Sequence, residues 1–590
     1  MSTIVGIDLG TTNSEIAWIH DSQPEVIEHE GAKIMPSAVG VDAQGRLLVG
    51  EAARNQAALA PDRTILSIKR WMGEQDSFML GGQGYTPQEI SAMILRALKD
   101  RAEHVLRRPV EKAVITVPAY FKEAQRRATQ EAGELAGLEV VRILNEPTAA
   151  AMTYEPHPQR LEKVLVYDLG GGTFDVSIVQ LEQGVVEVLA SHGDTHLGGD
   201  DMDQLLFDHV CGKFEEEHGV DLREQAVPRS RVLRAVEETR KTLSYHSLAR
   251  VQAEFVAELP DGTPLHLDQE IERADLEALI EPLVRRTLSC VDRALSDSAV
   301  PAHKLDKIVL VGGVTRTPYI REVLEQKLGR PVHGEIEPDL CVALGAALQA
   351  GLIEGIDVGP VLVDITPHTL GIEALGDVDG ALTPHCFSPI IRRNTALPAS
   401  RTELYTTAVD SQEAALIRIF QGEDKDSRNN TLIGEFMLED LSDCPSGSRI
   451  PVRFDLDLNG VLTVTATEHV TGRSEQITIE NAMADFRRDE HHAARERIEQ
   501  VMGPPPLTLA DAEADDESAE SRPAELREVM SKAQPLLTQA RELRQHVEGE
   551  DADELQATLD AIEQAGKDRD ADRIRKELLP ELEDLIFYLK

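Results

Sequence analysis

Two stretches of the chain repeat one phrase: a short apolar run that ends in aspartate and then turns through glycine and threonine. The first is Ile4-Val5-Gly6-Ile7-Asp8-Leu9-Gly10-Thr11-Thr12-Asn13-Ser14; the second is Val164-Leu165-Val166-Tyr167-Asp168-Leu169-Gly170-Gly171-Gly172-Thr173-Phe174-Asp175. A strand ending in this way gathers backbone N–H groups, a hydroxyl and a carboxylate at one point, the outline of a phosphate and metal site. Two such half-sites facing each other hold one nucleotide between two lobes. Phosphoryl transfer asks for amides on the phosphates, Mg²⁺ bridging them and a cation on the transferred group. Asp8 and Asp168 suit Mg²⁺, directly or through its waters, because that ion takes few carboxylates and keeps several waters. Gly10, Thr11 and Thr12, with Gly170, Gly171, Gly172 and Thr173, supply amides and hydroxyls. Two further turns, Leu197-Gly198-Gly199-Asp200 and Val311-Gly312-Gly313, can close around the ribose and α-phosphate.

No Gly-x-x-x-x-Gly-Lys-Ser/Thr occurs, so this is not a P-loop protein. Taken singly, a Gly-Gly turn after a strand is a tight turn and a strand-terminal Asp is a cap or turn former. Four such turns in one region, two with a matching Asp-Leu-Gly core, carry the reading.

At 590 residues the chain is too long for one core and predicts several domains. Its 60 Lys+Arg stand against 104 Asp+Glu, a net −44, which disfavours extended contact with nucleic acid or anionic lipid. Cysteines at 211, 290, 341, 386 and 444 are too scattered for a disulfide framework or a zinc site and suit a reducing compartment. No apolar segment reaches membrane-span length, and the strand signal begins at Ile4, leaving no room for a signal peptide. A cytoplasmic protein is expected, with no membrane partner.

Up to about Asp357, β-branched runs alternate with helical stretches, an α/β pattern. Strands are expected at Ala113–Val117, Val164–Tyr167 and Lys307–Val311, helices at Gln88–Leu106, Lys122–Ala136 and Ala274–Leu295. Periodicity is lost around Gly355–Val363, a short apolar connection bracketed by Gly359 and Pro360. Beyond it the period becomes two: Val452, Phe454, Leu456 and Leu458 alternate with polar residues, and Asn459-Gly460 leads into Val461–Thr465 as a hairpin. Leu404–Val409 and Ala415–Phe420 read as further strands. From about Met483 the pattern is helical, interrupted by Gly503-Pro504-Pro505-Pro506 and the acidic run Asp511–Glu520, a spacer composition. Apolar residues from Leu526 to Leu589 keep helical spacing and predict a small bundle, broken or kinked at Pro535 and Pro580.

The blocks Gly6–Ser14, Ala113–Phe121, Leu144–Ala151, Asp168–Asp175 and Gly193–Gly199, with Gly312–Pro318 and Pro338–Ala347, resemble the signatures of the 70-kDa heat-shock chaperones, the DnaK-like family. The resemblance runs from residue 3 to about 480 and continues more loosely to the end. It implies a multidomain chain: an actin-like α/β ATPase domain (1–357), a linker (358–364), an all-β peptide-binding sandwich (365–482) and a C-terminal α-helical lid (483–590) with an acidic, proline-rich spacer near 503–523. It also implies ATP/ADP, Mg²⁺ and K⁺ as cofactors.

Carried over by position, Asp8, Asp168 and Asp175 organise Mg²⁺ and the attacking water, Thr173 faces the γ-phosphate and Lys69 supplies positive charge there. Asn13 joins the first phosphate turn. Glu237, Arg240, Lys241 and Ser244 match the adenosine clamp, joined by Gly312, Gly313, Arg316 and Asp339; on pattern alone, the first four are a charged helix face. Pro118, Arg126, Glu146 and Asp364 resemble the relay that passes nucleotide state to the linker, although Glu146 before Pro147 is by itself only a residue biased away from helix. Arg142, Asn145 and Asp364 fall where J-domain co-chaperones dock. Ile372, Leu375, Tyr405, Ala408, Ala415 and Ile417 fall at peptide-cleft positions; Ile372 and Ile417 are ordinary sandwich core on pattern alone, and Ala415, smaller than the usual Val, widens the central pocket.

Several departures resemble the specialised bacterial HscC-type branch. Gly73–Gln88 and the part after Ser244 are short, and the linker Val358-Gly359-Pro360-Val361-Leu362-Val363 lacks the usual leucine run. Leu340-Cys341 replace Glu-Ala, Phe387–Ile391 precede Arg392-Arg393-Asn394-Thr395, the first lid helix is interrupted, and the chain ends Ile586–Lys590 without an acidic tail motif. Dependence on the usual nucleotide-exchange factor is left open. The expected activity is an ATP-dependent chaperone, a monomer that binds and releases extended apolar segments of unfolded clients, with slow basal ATPase since no motif supplies an arginine finger. A small-molecule kinase of the actin-like superfamily is the first rival and leaves everything after Val363 unused. A non-hydrolysing scaffold is the second, and would be expected to have lost Asp8, Lys69, Asp168 or Thr173.

Overall fold

The structure is a computed structural model describing residues 3–154, 160–182, 184–333, 337–439, 441, 446–468, 474–478 and 494–502, with Gln556 and Thr558 beyond them. The chain divides into two compact units, Met1–Gly503 and Pro504–Lys590. In the second, Gln556 and Thr558 are helical; the spacer and most of the helical pattern expected there lie outside the described residues.

Within the first unit, two sheets are built around the two acid-tipped strands in the same way. Thr3–Leu9 runs parallel to Val110–Val117, which runs parallel to Glu139–Asn145, while its other edge pairs antiparallel with Asn13–His20. Glu162–Leu169 runs parallel to Lys307–Val311 and pairs antiparallel with Phe174–Glu182 on its other edge. Each Asp-Leu-Gly turn is therefore the bend of a hairpin, and each acid lies beside a parallel neighbour. The apolar runs supply strands buried on both faces, as a covered parallel sheet requires.

The helices Pro87–Leu106, Glu123–Leu135 and Arg273–Asp297 fall within two residues of their expected bounds. The first starts where Thr86 and Glu89 form a reciprocal capping box. Two alanine-rich helices, Glu146–Thr153 and Cys341–Ile353, pack where the sheets meet, and their small side chains allow the approach. A Cβ on Gly345 would stand 1.8 Å from the carbonyl oxygen of Ala149.

Val361–Val363, expected as part of a connection without periodicity, is a fifth strand, parallel to Val185–Glu187 on the edge of the second sheet. Three apolar residues carry no readable period; the partner edge makes them a strand.

Two four-stranded antiparallel sheets follow. One has the order Ala381–Ile391, Leu370–Val378, Ala415–Gln421, Thr431–Leu438; the other Ala399–Thr406, Arg449–Leu456, Leu462–Thr467, Ser474–Thr478. Their inner faces share a core that includes Ile372, Ile417, Ile419, Val452, Phe454 and Val464. The expected Asn459-Gly460 turn is present: Gly460 has φ 83°, and Asp457 accepts N–H bonds from Asn459 and Val461, both 2.8 Å. Finally, residues 494–502 form a helix whose Ala494 and Ile498 join the core of the first lobe. Arg497 there donates to Glu89 at 2.6 Å.

Candidate nucleotide site and docking seam

The ends of the two central strands open on one cleft, lined by Asp8, Gly10, Thr11, Thr12, Asn13, Lys69, Glu146, Asp168, Gly170, Gly171, Thr173, Gly312, Gly313 and Asp339. The half-sites face each other closely. The Thr12 hydroxyl occupies the place a Cβ on Gly171 would take, 2.0 Å away, so only glycine lets the two turns meet. Gly312, at φ 81°, passes under the Leu169 carbonyl with equal lack of room. Gly198 and Gly199 start the helix Gly199–His218, which is pinned to the second turn: the N–H of Gly199 donates to Gly170 and that of Asp200 to Gly171. Gly172 lies behind the wall, against Thr11 and Arg70.

Lys69 is 3% exposed and paired with Glu146. Burial pulls its amine down, but Glu146 and Asp8 outweigh burial and hold its pKa above the ordinary value. Asp8 accepts the Thr116 hydroxyl at 3.0 Å; burial and the nearby Glu146 raise its pKa to about 7. Asp168 is raised well above the carboxylate range by burial and then Glu146, and its Oδ2 is buried without a hydrogen-bond partner. Asp175 stands apart from the cleft wall: its two oxygens accept the N–H groups of Ala119 (3.2 Å) and Tyr120 (3.0 Å).

The adenosine-clamp residues are not on this wall, apart from Gly312, Gly313 and Asp339. Glu237 lines a neighbouring cavity that shares Thr11 and Thr12, and it pairs with Arg54 (2.7 Å) and Lys241 (2.8 Å). Arg240 is held bidentate by Asp203, at 2.7 and 3.0 Å. Arg316 pairs with Asp339 at 2.6 Å, and Ser244 caps the end of helix Ala226–Leu243.

The relay residues form one contiguous run. Arg126 donates to Ala119 O (3.1 Å), next to Pro118, and to Asn145 Oδ1 (2.6 Å). Asn145 Nδ2 donates to both oxygens of Asp364, at 3.0 and 2.9 Å. Burial lowers the pKa of Arg126 and of Arg142, whose Nε is buried without a partner. The seam continues through Tyr120, whose ring lies 5.3 Å from that of His192 and 4.6 Å from that of His368. Asp297 then joins Arg393 at 3.0 Å.

The expected peptide-cleft residues divide. Ile372 and Ile417 are sandwich core, Tyr405 and Ala415 pack partly against it, and Ala408 and Leu375 are exposed, Leu375 by 59%.

Sequence reasoning missed Glu15, Thr116, Tyr120, His192 and His368. Glu15 and Thr116 had a usable signal, since each lies on a strand flanking Asp8. The histidines had none, because only folding brings 192 and 368 to one tyrosine.

Two lobes presenting acid-tipped glycine turns to one cleft, with a β-sandwich seated on them, define a phosphate-binding machine coupled to a second module. A family model described as Hsp70 protein matches residues 4–81 and 75–586. The chain is 46% identical over 480 residues to the chaperone protein DnaK of Halobacterium salinarum, covering 81% of this chain and 75% of that protein. The chain belongs to the Hsp70 family. It is an ATP-dependent chaperone whose enzymatic activity is ATP hydrolysis, with an ATPase domain, a β-sandwich and a helical lid. Its residues fit a magnesium nucleotide: the glycine cradle leaves room that side chains would fill, and Asp168, on the cleft wall, keeps a buried oxygen without a hydrogen-bond partner. Among the described residues, no helix is long and apolar enough to cross a membrane.

Proposed function

We propose that ATP bound in this cleft controls peptide affinity through the adjacent residues Asn145 and Glu146. The observation carrying this reading is that Glu146 holds Lys69 in the cleft while Asn145 holds Asp364 at the end of the linker strand. One peptide unit thus touches both the phosphate site and the docked sandwich. In this reading Asp8 and Asp168 hold Mg²⁺, which when bound neutralises phosphate charge. Thr173 and Lys69 contact the terminal phosphoryl group. Asp175 acts from behind, fixing the Ala119–Tyr120 backbone rather than reaching the phosphates.

Glu237, Lys241, Ser244, Arg316 and Asp339 receive the adenosine once the Arg54–Glu237 pair opens, and Arg240 positions Gly199 from its pairing with Asp203. Since ATP favours the docked seam, peptide binding must by reciprocity disfavour it.

The client segment lies along the sandwich over Leu375, Ala408, Tyr405 and Ala415; an extended peptide hydrogen-bonds through its backbone and fills a few pockets, which gives broad sequence tolerance. Asn145 and Asp364 are buried in the seam, so a J-domain partner reaching Arg142, Asn145 and Asp364 acts where the seam parts. Dependence on K⁺, a cytoplasmic location, a monomeric state and the HscC-type branch belong to the same proposal, the branch supported by Pro360 in the linker and the Phe387–Thr395 block. The test is release of a fluorescent apolar peptide in ATP and in ADP, with Lys69→Ala and Thr173→Ala beside the wild type. Release no faster in ATP than in ADP overturns the coupling.

A further inference from the structure

The two phosphate turns are held from behind in the same way. In the first, Ser37 ties two carbonyls at once: its hydroxyl donates to Gly10 O and its backbone N–H to Thr12 O, both at 2.8 Å. In the second, the N–H of Gly199 donates to Gly170 O at 3.0 Å and that of Asp200 to Gly171 O at 2.8 Å. A trans peptide is planar, and its C=O and N–H point in opposite directions. Tying a carbonyl backward therefore turns the next residue's N–H forward. Thr11 and Asn13 in the first turn, and Gly171 and Gly172 in the second, turn their N–H groups away from the residues that hold them. Thr11, Asn13 and Gly171 line the nucleotide cleft, whereas Ser37 lies on the wall of the neighbouring cavity. Backbone amides aimed together in this way bind phosphate oxygens.

The two anchors differ in one respect. The second is backbone throughout, while the first hangs half on a side chain. Ser37 reaches its place because Met35–Pro36 pairs antiparallel with Asn13–Ser14. It is 3% exposed, Ser14 is fully buried, and their hydroxyls lie 2.8 Å apart. A hydroxyl has one proton to donate. Ser37 gives its proton to Gly10 O, so Ser14 is the donor to Ser37 Oγ, and the hydroxyls form a chain that ends on the phosphate turn. Nothing in the segment Met35-Pro36-Ser37-Ala38 announces this; only folding puts it behind Gly10.

We infer that Ser37 is a positioning residue of the ATPase, which aims the amides of the Gly10–Asn13 turn at the nucleotide's phosphates without touching them. The inference rests on the cleft's being the nucleotide site. Without the hydroxyl, the Gly10–Thr11 peptide is free to rotate and phosphate binding weakens. An amide that meets the phosphates equally in ground and transition state sets KM and leaves kcat alone.

The test uses the full-length chain as wild type, Ser37→Ala and Ser14→Ala. ADP and adenosine affinities are measured by calorimetry, beside steady-state ATP hydrolysis. Ser37→Ala is expected to bind ADP about tenfold more weakly and to raise KM for ATP alike, with kcat within about threefold of wild type and adenosine affinity unchanged. Ser14→Ala removes a hydroxyl of the same pair but spares the bond to Gly10 O, and keeps ADP affinity within about threefold. Equal losses in the two variants, or a Ser37→Ala loss as large for adenosine as for ADP, mark a packing effect and overturn the inference. Wild-type ADP affinity in Ser37→Ala overturns it too. If the wild type itself binds no ADP, the nucleotide reading fails and takes this inference with it, a result distinct from the others. Should Ser37→Ala not fold, Ser37→Cys keeps the volume and offers Gly10 O a weaker donor. ADP binding is then expected to weaken severalfold, and unchanged binding overturns the inference.

Discussion

The nucleotide cleft and the docking seam are both buried and both polar, yet they treat their central carboxylates differently. In the cleft, Asp168 keeps a buried oxygen with no hydrogen-bond partner, and Lys69 is the only cation on the wall among the described residues. In the seam, Asn145 spends its amide oxygen on Arg126 and its nitrogen on Asp364, while Asp364 also accepts the N–H of Ile365. The first region is prepared for charge that arrives from outside. In the second the central carboxylate, Asp364, is held by protein donors, although Arg142 Nε and His192 Nδ1 are buried there without partners. A site that lacks its counter-charges and a joint whose central carboxylate is already held, meeting at the adjacent residues Asn145 and Glu146, are what a nucleotide-driven switch needs.

The comparison is broken most severely at Lys69. Lys69→Ala removes the cation from the phosphate site and leaves Glu146 buried and unpaired. Steady-state ATP hydrolysis should fall by about 10²–10³-fold, and stability should drop by about 3–5 kcal/mol in chemical denaturation. A turnover within a few-fold of wild type would separate Lys69 from the chemistry. Asn145→Ala and Asp364→Ala attack the seam alone. Each strands a buried polar partner, costing about 1–3 kcal/mol of docking. ATP should then accelerate peptide release about 5- to 100-fold less, while single-turnover hydrolysis persists; parallel loss of both would mean that cleft and seam are not separable.

Acid sharpens the comparison further. Burial, then the Arg393 charge, lowers His192 from 6.5 to about 4, with Asp297 opposing and Arg293 adding to the effect. Burial lowers His368 to about 4 as well, against its bond to the Tyr120 carbonyl and with Arg126, Lys122 and His192 nearby. Both pKa values are depressed in the closed seam, so parted histidines take up protons below about pH 6.5 that the closed seam refuses until about pH 4. Docking is therefore fully favoured above that range and weakens as pH falls through it. Fluorescence transfer between dyes on the first lobe and the sandwich should show a several-fold loss of docking from pH 7 to 5.5, flattened in His192→Gln/His368→Gln. A pH-independent signal would remove the histidines from the switch. The smallest effect is expected at Arg497→Ala, which frees the helix 494–502 from Glu89. Docking should weaken by about 1 kcal/mol, since Glu89 keeps its Thr86 cap, read as modestly faster amide exchange across that helix.

Much of the fold was legible because it rests on local pattern. The β-branched run before Asp168, the Asn459-Gly460 turn and the capping box at Thr86 state their structures within a few residues. Asp8, Asp168, Thr173 and the glycine turns were legible as a site because they come in contiguous blocks, whereas Lys69, a lone lysine in its segment, was reached only through the family resemblance. Val361–Val363 was not legible as a strand, since its only reason to be one is the edge at Val185–Glu187. The division of the cleft residues, Ile372 and Ile417 inward and Leu375 outward, depends on which face each strand turns to the opposite sheet.

The sequence by itself determined the two facing half-sites, the sandwich and the residues able to meet a nucleotide, because short-range alternation and glycine turns encode these directly. Tertiary structure alone decided that Asp175 serves from behind the wall, that Glu15 stands beside Asp8, and that Tyr120 is shared by two distant histidines. Burial and charge balance belong to no single segment, and they exist only once separate strands have been brought together.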